Sequence, residues 1–590
     1  MLPLSCGRPM ISRAASTERL FAAALLAAAL LIHGPLFLRA PLGPDPVMYD
    51  LQAGLIQDGG VLYRDILEPN LPGVVWVHGL VRSCAGWSPE ALRAFDLLWF
   101  CLAAWLATRL MKSDPWTSAL VAVVMVTGYT TLSEWCHCQR DVWMLPFVIG
   151  AMLIRVRRQE ARLLVGVQPL GCSRQVKAWT PTRAHSLWAS DSSAALKTSL
   201  LSAFAEGALW GCAVWLKPHV VVPAACVVAA AGFVALRRSG HGKRQLAEEG
   251  CVAAGGALIG LVGVLWLIQH NAWQPLWSML TEWNRDYVAA AASRWSWARL
   301  WSIQERLAPW SVVHLAAIPV SAWMLWRAVR PADGRSSDAC ATSVRRILIS
   351  ALYLGWIAQT LLLQHLFDYV HVPALVLGSI VVAMLPWAEA SIQWARQRAA
   401  LASVAILALA ILVRGDQLAL WPRCLHEQSS PSLHAALARL PLPEWNHLAI
   451  AEQFLREQNV RDGELTAYHT HTIHLYPALK VRPSTRFVFT ETHLRLFPGR
   501  TEEIARTLRT SRQRFVVSDL IEAGLDPAMA LDDSDPDNWR TACPQDALAA
   551  FPFDQPVVFR SGPYLVHVVT QPLGPVETGF FPLAAKSAGL

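Results

Sequence analysis

The sequence predicts a mainly α-helical, polytopic membrane protein with a small α/β domain outside the membrane. Its 590 residues are 54% hydrophobic and only 16% charged, and the mean hydropathy is +0.32. A soluble domain usually carries about 25% charged residues. Apolar segments of about 20 residues, the length that crosses the hydrocarbon of a bilayer, recur between Leu20 and Val413.

About eleven of these segments are predicted to span the membrane as helices. They lie near residues 20–38, 92–111, 116–133, 142–156, 199–216, 218–236, 250–269, 309–327, 347–364, 371–388 and 399–414. Residues 71–86 are also apolar, but this segment is short and contains Arg82. We therefore expect it to lie along the outer surface of the membrane.

The basic residues between the predicted spans indicate the orientation. The loops on one side hold Arg8, Arg13, Arg19, Arg109, Lys112, Arg155, Arg157, Arg158, Arg237, Arg238, Lys243, Arg244, Arg345, Arg346, Arg396 and Arg398. Because Lys and Arg collect in cytoplasmic loops, the N-terminus is predicted to be cytoplasmic and the C-terminus periplasmic or extracellular. The expected location is the plasma membrane, which in a bacterium is the inner membrane.

The chain is predicted to divide into a transmembrane domain, residues 1–414, and an outer-face α/β domain, residues 415–590. Charge density rises after the boundary, and Pro and polar residues interrupt the apolar runs. Helical periodicity alternates there with short β-rich pieces. The predicted helices are 444–458 and 501–511, and the predicted strands are 486–490, 514–518 and 556–559. Residues 159–198 are predicted to form a loosely ordered cytoplasmic loop.

Several other features are interpreted as structural. The net charge of +8 arises mostly in the cytoplasmic loops, and the sequence has no nucleic-acid-binding motif, so no nucleic-acid partner is expected. His469, His471 and His474 have neither zinc-ribbon nor H-E-x-x-H spacing, so we expect ordinary surface histidines. Gly256 and Gly260 indicate close helix packing. Cys424 and Cys543 lie where oxidation is possible, but sequence cannot pair them.

The unusual polar residues gather in the predicted outer loops. These residues are Asp45, Asp50, Asp65 and Glu68 in the first loop, Glu134, Arg140 and Asp141 in the second, and Lys217 and His219 in the third. A charge inside a span costs about 2.5–3.5 kcal/mol, so such groups need partners or water. A carboxylate cluster at the membrane surface can activate a hydroxyl or hold a metal ion.

These residues resemble the motifs of a known family. The pattern Asp45-x-x-x-Tyr49, followed by Glu68, resembles the first outer loop of GT-C membrane glycosyltransferases, including protein O-mannosyltransferases and lipid A aminoarabinose transferases. Gln139-Arg140-Asp141 resembles their second acidic motif. Trp215-Leu216-Lys217-Pro218 resembles the lysine-containing segment near their lipid-phosphate site. Asp45 is followed by Pro46 where many relatives carry a second acid.

The resemblance implies an enzyme of cell-envelope glycan biosynthesis. It would transfer a sugar from a polyprenyl-phosphate donor to an acceptor hydroxyl on a lipid, glycan or protein. Asp45, Glu68 and Asp141 would be catalytic, with Asp45 as the base or orienting carboxylate and the other two positioning substrate or a divalent metal ion. Lys217 would bind phosphate. The other expected substrate-binding residues are Tyr49, Asp50, Arg140, His219, Arg285, Tyr369 and His371.

Less specific interpretations stay open at this stage. Interfacial acids such as Asp45 and Glu68 can simply keep a loop hydrated, and Lys217 can extend to lipid headgroups. Residues 271–308, rich in Trp and Arg, are either an interfacial helix or a substrate gate. A transporter or flippase of lipid-linked glycans, or a noncatalytic membrane assembly protein, is the alternative function. The absence of an evident internal repeat counts against a transporter.

Overall fold

The computed structural model describes residues 11–166, 184–237, 242–292, 295–329, 337–363, 367–385, 392–532 and 538–570, together with Leu573 and Val576. The middle of the predicted loop 159–198 and residues 364–366 of the loop before Tyr369 lie outside the described residues.

The N-terminal part is helical, as its apolar composition predicts. Its α-helices are α1 (Ile11–Arg39), α2 (Pro44–Gln57), α3 (Gly73–Ala85), α4 (Pro89–Met111), α5 (Pro115–Thr131), α6 (Arg140–Trp143), α7 (Leu145–Gly166), α8 (Ala184–Leu216), α9 (Val221–Arg237), α10 (Gly242–Gln269), α11 (Trp273–Ser278), α12 (Asn284–Ala292), α13 (Trp297–Arg306), α14 (Val313–Val329), α15 (Ser337–Leu363), α16 (Val372–Ala383) and α17 (Ile392–Val413). Several starts follow capping rules. Ser88 accepts the amide of Ala91, and Asp114 accepts the amides of Trp116 and Thr117.

Each predicted span overlaps a helix, but fewer helices meet the requirements for crossing a membrane. Among the described residues, six are long and apolar enough: Pro89–Met111, Leu196–Leu216, Pro218–Arg237, Lys243–Gln269, Trp310–Val329 and Thr342–Leu363. A seventh is present if Ala23–Arg39 and Pro44–Gln57, which meet at a bend of 64°, form one broken span. The chain is therefore an integral membrane protein, and the count of eleven spans remains a prediction.

The expectation of a loosely ordered loop over residues 159–198 is wrong at both ends of this range. Helix α8 already begins at Ala184. Helix α7 continues to Gly166, because its basic face pairs with acids on α8 and α10. Arg155 Nε lies 2.5 Å from Glu206 Oε1, and Arg158 lies 2.8 Å from Glu206 and 2.6 Å from Glu248. Arg162 also pairs with Glu248. We call these five residues the ionic network.

Helices α8 and α10 approach closely, but mainly through glycines other than the predicted pair. A Cβ at Gly207 would overlap the carbonyl oxygen of Val252, and a Cβ at Gly255 would overlap that of Phe204. Gly256 lies at a looser contact, and Gly260 has nothing within 4 Å of an added Cβ. Small residues let membrane helices pack backbone to backbone, and here Gly207 and Gly255 are the closest-packed of these positions.

This contact predicts that the same Gly→Ala substitution has different effects on stability at two positions of the helix pair. Gly207→Ala should destabilise the folded chain by about 1–3 kcal/mol, the usual cost of overpacking a tight site. Gly260→Ala, on the same helix pair and facing open space, is the matched control and should be neutral. Unfolding of the purified variants in mixed micelles measures both. Equal stability of the two variants would contradict the packing described.

The C-terminal part, predicted from the sequence to be a separate domain, contains a four-stranded sheet with helices around it. Its strands are β1 (Leu465–Ala467), β2 (Phe515–Asp519), β3 (Val557–Ser561) and β4 (Tyr564–Val568). Its helices, and those that lead to it, are α18 (Gly415–Leu418), α19 (Trp421–His426), α20 (Pro431–Leu437), α21 (Trp445–Glu457), α22 (Leu475–Leu479), α23 (Thr490–Leu496), α24 (Thr501–Thr510), α25 (Pro527–Ala530), α26 (Asn538–Ala542) and α27 (Gln545–Leu548). The strand order is β1-β2-β4-β3, with β1 parallel to β2 and the other pairs antiparallel.

One predicted strand of this domain is wrong. Residues 486–489 form no strand, and Thr490 begins α23. The backbone here bonds to the membrane part instead, because the Arg486 carbonyl accepts the Leu67 amide at 2.9 Å. The other predicted elements coincide with α21, α24, β2 and β3 to within a few residues.

The C-terminal domain docks onto the membrane part through the Trp- and Arg-rich segment. Trp283 is buried against Phe487 and Phe497, and the guanidinium groups of Arg486 and Arg500 lie over its ring, each 5.3 Å from the centroid. Trp283 is thus an interdomain contact, while Trp277, Trp295, Trp297 and Trp301 are exposed.

One structural expectation for this domain is also wrong, and the open question of the two cysteines has an answer. His469, His471 and His474 are buried rather than on the surface. His469 Nδ1 accepts the amide of Asp519 at 2.9 Å, and burial lowers the pKa of His469 to about 3. Cys424 and Cys543 are both free thiols.

Candidate functional site

The first part of the site is the start of α2, where the chain turns sharply after α1. Pro44 and Pro46 lie in the first turn of α2, at positions where a missing amide hydrogen costs no helical bond. Asp45 lies between them, and a carboxylate there is favoured by the helix dipole. The Asp45 carboxylate contacts the Gln139 amide at 3.4 Å and the Tyr369 side chain.

The second part of the site is the turn around Asp141. It is held in place by a buried carboxylate, Asp96, which lies within the predicted span 92–111. Asp96 on α4 accepts hydrogen bonds from Tyr129 Oη and Trp143 Nε1, each at 2.7 Å, and from the Cys138 amide at 3.0 Å. Cys138 has a φ of 55°, which non-glycine residues rarely adopt. Asp96 therefore secures the turn that leads into α6. An acid inside an apolar run was the signal that could have revealed it.

The third part is Lys217, in the turn between α8 and α9. Its ammonium forms an ion pair with Asp141, and the exposed fractions of the two side chains are 2% and 0%. Lys217 Nζ also lies 5.7 Å from the centre of the Tyr369 ring. Gly73 at the start of α3 packs on the backbone of Trp215 and Leu216, where no Cβ would fit. Lys217 is therefore an inward-facing buried cation and does not extend to lipid headgroups.

Glu68 is the fourth part, in the segment between α2 and α3. Its carboxylate is buried and accepts a hydrogen bond from the side-chain amide of Asn70. Burial raises the pKa of Glu68 to about 8, with the Asp45 charge adding to the rise and Arg140 opposing it. Neutral pH therefore favours the protonated form of Glu68.

Together these segments form one set of mutually interacting side chains, which we call the polar cluster. Its members are Asp45, Tyr49, Glu68, Arg140, Asp141, Lys217, Tyr287 and Tyr369. His219 is half-buried beside Lys217 and Arg140. Tyr287 on α12 was missed from the sequence, because nothing in a Trp- and Arg-rich segment distinguishes an inward-facing tyrosine.

Three predicted substrate-binding residues do not join the polar cluster. The Asp50 carboxylate is bound by Arg82 and by His78 Nδ1 at 2.8 Å, so it joins α2 to α3. Arg285 is exposed on α12. His371 is buried next to Tyr369 along the chain, but its Nδ1 lies 3.3 Å from Gln304 Nε2.

The cluster does not fit a bound divalent metal ion. Each of its three carboxylates has its own partner: the Gln139 amide for Asp45, the Asn70 amide for Glu68 and the Lys217 ammonium for Asp141. The described residues contain no group of three His, Cys, Asp or Glu side chains placed to hold a metal ion. Arg140 and Lys217 supply positive charge at the same place.

Comparisons with known proteins give little further information. No family model matches the sequence, and no curated protein matches it. Among solved structures, the chain is similar to the crystal structure of ArnT from Cupriavidus metallidurans in the apo state. The identity is 14% and the TM-score 0.43, with 93% of this chain and 97% of that chain covered.

Proposed function

We propose that this chain is a membrane glycosyltransferase of the GT-C type. It transfers a sugar from a polyprenyl-phosphate donor to a hydroxyl acceptor at the outer face of the membrane. The observation that carries the proposal is the polar cluster itself. Acids and cations from chain positions as distant as Asp45, Asp141 and Lys217 meet in one buried place. Burying several ionisable groups is costly, and such clusters concentrate at functional sites.

The chemistry follows from where the charges lie. An acceptor oxygen attacks the anomeric carbon of the donor sugar while the bond from that carbon to the phosphate oxygen breaks. The electron pair leaves with the phosphate, and the acceptor proton goes to Asp45 as general base. Lys217 and Arg140 stabilise the negative charge that grows on the departing phosphate, in a place with little water.

The ion pair between Lys217 and Asp141 is suited to a site that binds an anion and then releases it. Before binding, Asp141 neutralises the ammonium, which would otherwise be an uncompensated buried charge. A phosphate that approaches Lys217 shares the ammonium with Asp141. Neutral Glu68 is well suited to this site, since a third carboxylate anion would repel the donor.

Reconstitution of the purified full-length chain tests the proposal. Liposomes containing the protein and radiolabelled polyprenyl-phosphate sugars are incubated with a membrane fraction as acceptor source. The expected result is label on a product that no longer carries the polyprenyl phosphate. Label that crosses the bilayer while still attached to its carrier would instead show a transporter.

The site also predicts a dependence of donor binding on pH. Burial lowers the pKa of Lys217 to about 8, against the opposing effect of Asp141. The ammonium is therefore present below pH 8 and is lost as the pH rises through that value, where Glu68 also ionises. We expect KM for the donor to rise about tenfold from pH 7 to 9, since each pH unit above a pKa removes about nine-tenths of the remaining charged form.

Lys217→Arg is the informative variant for this prediction, because a guanidinium stays charged throughout this range. Its ratio of KM at pH 9 to KM at pH 7 should be smaller than in the wild type, whatever its absolute KM. An unchanged ratio would assign the pH dependence to another group.

A further inference from the structure

A cavity lined partly by cationic residues lies at the other end of the helix bundle from the polar cluster. It has a volume of about 760 Å³ and lies among α1, α4, α5, α7 and the start of α15. Helix α7 begins four residues after Asp141, and Glu160 of this cavity lies further along the same helix. At about 1.5 Å per residue, Glu160 lies about 22 Å along the helix from the start of α7.

The cavity is lined by more positive than negative charge. Its cationic residues are Arg109, Lys112, Arg157 and Arg345, and within the described part of the chain Glu160 is the only carboxylate among its lining residues. Arg345 pairs with Glu160 and donates to the Met111 carbonyl. Lys112 Nζ is 4.0 Å from Glu160, so one carboxylate faces several cations.

Two of these cations are placed to receive a ligand. Arg109 is exposed, and its guanidinium lies 5.3 Å from the ring centre of Trp105 on the same helix. Arg157 is exposed on α7. The hydroxyl oxygens of Ser113 and Ser118 lie 3.0 Å apart at the same rim and add hydrogen-bonding groups.

The remaining walls are apolar and continue toward the middle of the bundle. They include Leu26 of α1, Ala104 of α4, Ala122 of α5 and Leu153 of α7. A cationic rim above an apolar cleft between membrane helices matches a phospholipid, with its phosphate at the rim and its acyl chains in the cleft. A free phosphate would use the rim alone.

We propose that this cavity binds the phosphate headgroup of an anionic membrane phospholipid, as a site separate from the polar cluster. Arg109 and Arg157 contact the phosphate, and Arg345 is held in place by Glu160 at the base of the rim. The occupant is a structural lipid and takes no part in sugar transfer. Binding here is independent of the proposed function, so a failure of either proposal leaves the other standing.

The test measures lipid retention by the full-length protein. Native mass spectrometry in neutral detergent compares titrations with phosphatidylglycerol and with zwitterionic phosphatidylcholine. Wild type should retain phosphatidylglycerol preferentially. The double variant Arg109→Gln/Arg157→Gln should bind it about tenfold more weakly, because each basic group near an anionic lipid contributes substantially to binding. Both arginines are exposed, so the melting temperature should not change.

A matched double variant distinguishes specific lipid binding in this cavity from nonspecific attraction of anionic lipids to surface arginines. Arg237→Gln/Arg327→Gln removes the same charge from two other exposed arginines near the ends of α9 and α14, each stacked on an aromatic residue of its own helix. It should bind phosphatidylglycerol as wild type does. Equal losses in both double variants, or no loss in either, would overturn the proposal.

A titration with inorganic phosphate distinguishes a phospholipid headgroup from free phosphate as the ligand of this cavity. We expect it to leave phosphatidylglycerol retention unchanged at millimolar concentration. Displacement of the lipid by inorganic phosphate, or absence of any preference for phosphatidylglycerol over phosphatidylcholine, would overturn the lipid assignment.

Discussion

Asp45→Asn should reduce sugar transfer by about 10²–10⁴-fold, the usual contribution of a positioned general base. The asparagine has the same shape and cannot take the acceptor proton. Arg140 keeps Asp141 and Glu68 as neighbours, so the variant should insert and fold normally. The measurement is transfer of label from a radiolabelled polyprenyl-phosphate sugar in the reconstituted system, beside a thermal unfolding curve.

Asp58→Asn is the matched control for this experiment. It is the same chemical change at the C-terminal end of the same helix, α2, at a side chain that is 54% exposed and paired with Arg482 on the surface. It should retain wild-type transfer. Full activity in Asp45→Asn would remove Asp45 from the mechanism, and equal losses in both variants would indicate damage to α2 rather than to the chemistry.

Glu206→Gln should destabilise the folded chain by about 3 kcal/mol. Glu206 is fully buried between Arg155 and Arg158. Removing one partner of a buried ion pair leaves uncompensated charge, which typically costs about 3–5 kcal/mol. The lower end applies here, because Glu249 still pairs with Arg155 and Glu248 with Arg158. Denaturation in mixed micelles measures the change.

The exposed pair of Arg423 and Glu427 provides the comparison. Its side chains are 39% and 44% exposed, and solvent screens such exposed pairs so that they contribute little to stability. Glu427→Gln should therefore leave the stability nearly unchanged. If Glu206→Gln were equally harmless, the ionic network would not hold α7 against α8 and α10, and another cause would be needed for the helical extension to Gly166.

Some features of the site could be predicted because they depend on short motifs at the ends of apolar segments. Asp45, Glu68, Asp141 and Lys217 were selected as polar residues adjoining predicted spans, and the structure brings them together. Asp50 was selected by the same rule and lies elsewhere, because Arg82 and His78 on α3 bind it first. The sequence around an acid does not show which side chain will bind it when the partner lies on another helix that reaches it only in the folded protein.

Other residues were not selected from the sequence, because their roles depend on contacts between distant elements. Asp96 lies within an apolar run, and its role depends on Tyr129, Trp143 and Cys138 reaching it from other elements. Tyr287 faces the polar cluster because α12 is held against the C-terminal part, where it contacts α23. His469, His471 and His474 were expected at the surface, because their spacing in the sequence does not indicate that the folded C-terminal part buries them.

The sequence by itself determined that this is a helical membrane protein with a C-terminal α/β part, because the length and hydropathy of segments suffice for that. Only the tertiary structure decided which charged side chains form the polar cluster, that α7 extends to Gly166, and that Arg109 and Arg157 line the same cavity. Those outcomes depend on partners far apart along the chain, and a buried charge is stable only where such a partner arrives.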